Sequence, residues 1–90
     1  METLFVLAAT EAGTLRDVVG RVKEIPRVVE VQPVTGPFDL LVRVEAPAMR
    51  EALDVVVDRI RRTPGIRSTE TLISVGGGIM RSARMPGAAR

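Results

Sequence analysis

The sequence predicts an α+β domain in which one four-stranded antiparallel sheet carries two helices on a single face. Three observations support this. Four short segments are rich in β-branched and aliphatic residues, and two longer stretches between them repeat apolar residues at helical spacing. Their order is strand, helix, strand, strand, helix, strand. The chain also resembles itself. Asp17-Val18-Val19, followed by Val22 and Pro26, recurs as Asp54-Val55-Val56, followed by Ile60 and Pro64. Two βαβ halves with right-handed crossovers fold into a split βαβ sheet and leave few other arrangements.

The first strand is Leu4 to Ala9, apolar at both parities. Thr14 starts a helix, with Asp17 three residues later in a capping-box-like spacing. Leu15, Val18, Val19 and Val22 form its apolar stripe, and Gly20 within it suggests close packing on the sheet. Pro26 ends the helix near Glu24, because it disfavours helical geometry at the preceding residue. Val28 to Val34 and Leu40 to Glu45 are strands joined by the turn Thr35-Gly36-Pro37-Phe38-Asp39, a hairpin signature. Pro47 suits the first turn of a second helix. Its predicted stripe is Met49, Leu53, Val56 and Ile60, with Arg50–Asp54 and Asp58–Arg62 at ion-pair spacing on the other side. The run Val55-Val56-Val57 weakens intrinsic helicity. Thr63-Pro64-Gly65 stops the helix, and Ile66 to Val75 is the fourth strand. Residues 1–75 thus form one domain. Residues 76–90 open with three glycines, carry three Arg and no apolar period, and read as a mostly disordered basic tail.

Both helices must cover the same side of the sheet. Yet the strands keep apolar residues at both parities, as in Leu4 and Phe5, Leu40 and Leu41, Leu72 and Ile73. Dimerisation through the sheet would bury the second face at roughly 25 cal/mol per Å² of apolar area. With 46% hydrophobic residues the chain has more apolar surface than its own core needs.

Composition excludes several function classes. There is no Cys, His, Trp, Tyr or Asn, which removes disulfides, thiolate and imidazole metal ligands and most base-stacking side chains. The net charge of +2 comes from Arg81, Arg84 and Arg90; residues 1–75 hold ten Lys/Arg against eleven Asp/Glu. The folded body therefore lacks the positive field that nucleic acid attracts. No apolar run reaches the roughly 20 residues that span a bilayer, and no signal peptide is visible, so a cytoplasmic protein is expected. The catalytic inventory is Asp, Glu and Lys23 in solvated patterns. The glycines at 76–78 lack the Lys and hydroxyl positions of a phosphate loop. No catalytic residue, metal site or cofactor is expected.

Two polar segments interrupt the apolar pattern. The hairpin turn has a sufficient structural explanation: Gly36 for unusual φ, Pro37 for a fixed one, Asp39 for its own backbone. It also offers turn N–H groups to a carboxylate and an acid to an ammonium. Ser68-Thr69-Glu70-Thr71 in the last strand reads as a solvated face or as hydroxyls for a small polar ligand at a subunit junction.

At these residues the chain resembles a known family. Val34-Thr35-Gly36-Pro37-Phe38-Asp39-Leu40-Leu41-Val42 resembles the Val-Thr-Gly-x-Tyr/Phe-Asp-hydrophobic hairpin of the leucine-responsive (Lrp/AsnC) transcription regulators. Ile25 to Val31 and Ile60 to Thr71 match the same effector-binding domain in order. The resemblance implies a ferredoxin-like domain that dimerises through its sheet. It also implies rings of dimers, often octamers, with amino acids bound between dimers. The matching ligand-binding positions are Thr35, Gly36, Phe38 and Asp39 in the turn, and Thr69 and Thr71 in the last strand. Those regulators carry a helix-turn-helix domain before this module. Here the first strand begins at residue 3 or 4, so direct DNA binding is not expected, and co-assembly with full-length regulators of the family is. The expected function is that of a stand-alone amino-acid-sensing module. The alternatives are an assembly domain with a vestigial pocket, or a small dimeric enzyme of the same fold, which would usually need the absent His, Tyr or Asn.

Overall fold

The computed structural model describes residues 1–75. The elements are β1 (Glu2–Thr10), α1 (Leu15–Val22), β2 (Val28–Pro33), β3 (Leu40–Ala46), α2 (Met49–Val55) prolonged by a π-helical turn (Val56–Ile60), and β4 (Ile66–Ile73). One antiparallel sheet runs in the order β2-β3-β1-β4, the ferredoxin-like βαββαβ arrangement that the sequence predicts. The expectation for residues 76–90 lies outside the described residues. Among the described residues no helix is long and apolar enough to cross a membrane.

Strand alternation divides the sheet sharply. Leu4, Val6 and Ala8 of β1 and Leu40, Val42, Val44 and Ala46 of β3 are buried beneath the helices. Val18, Val22, Ala52, Val55, Val56 and Ile60 close on them to form one core. Each large aliphatic side chain removed from water there contributes about 1.5–3 kcal/mol. Among the described residues no layer covers the opposite face. Phe5, Leu7 and Leu41 are half-buried there, and Leu72 is 46% exposed. Leu7 lies opposite Leu41, and Phe5 opposite Leu72. The open face is not apolar throughout. Arg43 reaches Glu30 across the strand pair (3.1 Å) and Glu45 along its own strand (2.6 Å). Ion pairs therefore occupy the β2–β3 side and aliphatic side chains the middle.

Several local expectations are overturned. Thr14 does stand at the N-cap of α1, but the capping box does not form. Its hydroxyl donates to the Glu11 carbonyl at 2.7 Å, and no side chain caps the helix. Gly20 faces open space rather than the sheet, because a Cβ there would meet nothing within 4 Å. In α2, Leu53 is 36% exposed, while Ala52 and Val55 take the buried places. Val56 and Ile60 of the predicted stripe are buried, and the helix widens at Val56, where the Arg61 N–H donates to the Val56 carbonyl at 2.8 Å. The β-branched run Val55-Val56-Val57 crowds the helix at this point. Neither Arg50–Asp54 nor Asp58–Arg62 closes among the described residues; Glu51 pairs with Arg27 at 2.7 Å instead. Arg27 has φ of 81°, a strained conformation for a side-chain-bearing residue, and is held there by that pair and by the Glu45 N–H on its carbonyl. β4 ends at Ile73, not Val75.

Among the described residues, Gly65 is the one glycine whose lack of a side chain the packing demands. It has φ of +99°, and a Cβ would lie 2.7 Å from Val18 Cγ2 and 3.0 Å from Thr14 Oγ1. Two opposite glycine substitutions follow. Gly20→Ala should stabilise the fold by up to about 1 kcal/mol, raising Tm by about 4–8 °C. Gly65→Ala should destabilise it by about 1–3 kcal/mol through strain and the clash with Val18. Thermal unfolding followed by circular dichroism checks both. Equal effects at the two positions would contradict the packing described.

Candidate functional site

The turn between β2 and β3 is fixed to the centre of the sheet by one side chain. The Val34 N–H donates to the Asp39 carbonyl (2.9 Å), closing the hairpin, and the Asp39 N–H donates to the Ala8 carbonyl (2.9 Å). Asp39 Oδ2 then accepts from the Thr10 N–H at 2.8 Å and from Thr10 Oγ1 at 3.1 Å. Thr10 is the buried last residue of β1. The carboxylate thus terminates β1 and holds the turn at the same time. Gly36, at φ +124°, supplies a backbone conformation that side chains avoid. Thr35, Gly36 and Pro37 are exposed at the tip, and Phe38 is half-buried.

Thr69 and Thr71 lie elsewhere. They stand opposite Ala8 and Val6 on β4, so they point to the helix side of the sheet. Among the described residues no strand lies outside β4, and α2 leaves the space above it partly open. The result is a groove of about 530 Å³ between α2 and β4, walled by Leu53, Val57, Arg61, Arg67, Thr69 and Thr71 among others. Within a single chain the six predicted residues therefore form two clusters. Thr35, Gly36, Phe38 and Asp39 sit at the turn, and Thr69 and Thr71 in the groove. Both clusters flank the end of β1, on different sides of that strand.

Three participants were not legible in the sequence. Thr10 lies one residue beyond the predicted first strand; its pairing with Asp39 spans the fold. Nothing in the linear pattern singled out Arg61 or Arg67, and only the third dimension places them on one groove. Among the described residues, no group of three or more His, Cys, Asp or Glu is placed to hold a metal.

The two hydrogen bonds from Thr10, its backbone N–H first, hold the Asp39 carboxyl below the usual carboxylate range. Partial burial opposes this, and the charge of Arg67 assists it. A carboxylate whose pKa is depressed on folding contributes stability above its unfolded pKa, and that contribution is lost as pH falls through the folded value. The wild-type chain should therefore lose stability as pH falls below about 4. Asp39→Asn should be less stable at pH 7 and show a shallower acid loss. Unfolding midpoints measured between pH 7 and pH 3 check this. Identical pH slopes for the two chains would mean that Asp39 does not hold the turn.

Comparison with known proteins identifies the family. Residues 3–77 match the family profile of the Lrp/AsnC ligand binding domain. An uncharacterised HTH-type transcriptional regulator of Pyrococcus horikoshii is 38% identical over 61 residues, which are 68% of this chain and 41% of that one. The chain thus spans less than half the length of that regulator. A Thermus thermophilus protein of known crystal structure superposes with a TM-score of 0.82 at 34% identity, over 89% of this chain and 100% of that one. The feast or famine regulatory protein of M. tuberculosis, solved in complex with L-methionine, shares the fold at a TM-score of 0.71 and 23% identity, over 96% of this chain and 58% of that one. With the Thr-Gly-x-Phe-Asp turn seated at the end of β1 and the family profile matching from residue 3 through the end of β4, this chain belongs to the Lrp/AsnC ligand binding domain family.

Proposed function

We propose that this chain is an amino-acid-sensing regulatory module, not an enzyme, which assembles through its open sheet face and binds its effector between dimers. The observation that carries the reading is the division of the site residues. The turn cluster and the Thr69–Thr71 cluster flank β1 from different sides, so a ligand contacting both needs a second copy to bring them together. The turn is preorganised by Asp39 and Thr10, which lowers the ordering cost of binding. Its N–H groups suit an α-carboxylate, and the Asp39 carboxylate suits an α-ammonium. L-methionine in the M. tuberculosis relative supports an amino acid as the ligand class.

The aliphatic strip of Phe5, Leu7, Leu41 and Leu72 is the surface on which two copies would meet, and rings of such dimers, octamers among them, would follow. Mixed rings with full-length regulators would let the chain modulate transcription in the cytoplasm without contacting DNA itself. A second reading has its own support. Asp39 is already engaged by Thr10, so the motif has a structural use without a ligand, as an assembly domain with a vestigial pocket would require.

A thermal-shift screen against the twenty amino acids separates the two. Effector at about 100 times its Kd should add about 2.7 kcal/mol of stability. No shift with any amino acid, in a chain that still assembles, would leave the assembly reading alone. Leu7→Glu with Leu41→Glu should give a folded monomer by light scattering, since charge would then occupy the strip. Retention of the assembly by that variant would place the dimer contact elsewhere.

A further inference from the structure

The α2–β4 groove has a polar wall of one kind. Arg61, Arg67, Ser68, Thr69 and Thr71 line it, the other lining residues are aliphatic, and no carboxylate is among them. This is a local feature, since residues 1–75 as a whole hold nearly equal numbers of acids and bases. Among the described residues neither arginine is within ion-pair distance of a carboxylate, as is true of every basic side chain there but Arg27 and Arg43, and Arg67 acts on Asp39 only through its charge.

Both arginines sit at interruptions of regular backbone. The Arg61 N–H closes the π-helical turn on the Val56 carbonyl. On the other wall, Ala9 pairs with Ser68 and Thr10 with Ile66, so Arg67 is the extra residue of a β-bulge. The bulge lets Ile66 turn inward to the core while Arg67 stays at the groove. A π-turn and a bulge each interrupt regular hydrogen bonding, and each re-aims the side chains beside it. Here the two devices converge on one groove from opposite sides. Leu53 and Val57 add an aliphatic part to the lining.

We propose that this groove receives the side-chain carboxylate of the effector through Arg61 and Arg67, so that the effector is a dicarboxylic amino acid. The inference rests on the amino-acid-sensing reading above and adds the ligand class to it. The guanidinium fork matches a carboxylate, the hydroxyls of Thr69 and Thr71 donate to its remaining lone pairs, and Leu53 and Val57 pack against the methylene stem. A neutral apolar side chain would offer neither guanidinium a charged partner, so it gains nothing from the pair.

The test is calorimetric titration of the full chain at fixed ionic strength with L-glutamate, L-aspartate, L-glutamine, L-asparagine, L-methionine and inorganic phosphate. One acid should bind at least about tenfold more tightly than its amide. In the Arg61→Gln, Arg67→Gln chain that ratio should fall to within about twofold, with the amide's affinity and the assembly mass unchanged. Arg61→Lys with Arg67→Lys should keep part of the preference, since it keeps the charge and loses the fork. If an amide or methionine binds as tightly as the acids, or the glutamine variants keep the preference, this proposal fails and amino-acid sensing stands. Binding of phosphate at the expense of the acids would also overturn it, as an inorganic anion site. If no amino acid binds, both readings fail.

Discussion

Both crossovers of this fold, β1 to β2 through α1 and β3 to β4 through α2, deliver their helices to the same side of the sheet. That one-sided cover organises the rest of the molecule. Beneath the helices, alternate residues of β1 and β3 are buried without exception from Leu4 to Ala8 and from Leu40 to Ala46. On the other side the same strands present Phe5, Leu7 and Leu41 to solvent beside an ion-paired band centred on Arg43. The aliphatic strip is what a second copy could remove from water. The charged band, satisfied within one chain, would tolerate the rim of such a contact.

The central strand β1 also determines where chemistry can occur. Its last residue, Thr10, is held by Asp39 from the hairpin on one side and lies opposite Ile66 of β4 on the other. The turn and the start of β4 are therefore positioned by the same few residues without sharing a cavity. Asp39 is consequently open to two employments. Its bonds to Thr10 make the turn rigid, and a rigid turn with free N–H groups is a better receptor than a mobile one. The structural use would thus lower the ordering cost of the effector contact proposed for the turn.

Two departures from regular backbone flank the groove, while others lie away from it, among them the register shift between Val28 and Glu30 in β2 and the strained Arg27. The π-helical turn of α2 begins inside the run of three valines; Ala52, Val55 and Val56 are buried while Leu53 and Val57 are at the surface. The β4 bulge frees Arg67 in the same neighbourhood.

Much of this was legible in the residues themselves. Element order, the two helical stripes, the hairpin with Gly36 and the chemical poverty of the chain follow from local rules, because apolar period, β-branching, proline and glycine act over a few neighbours. The family resemblance lay in contiguous motifs for the same reason. What the linear pattern did not contain were contacts between distant segments. Thr14 had a local cap available and used its hydroxyl on Glu11 instead. Gly20 looked like a packing glycine, while the glycine that packing requires is Gly65, pressed against Val18 across the core. The predicted stripe through Leu53 assumed a constant helical pitch, which the valines break. Asp39 meeting Thr10, and Arg61 meeting Arg67 across a groove, depend on strand order and register. Those were decided by the packing of both halves together, since pairing energies between segments far apart in the chain are realised only when the sheet closes.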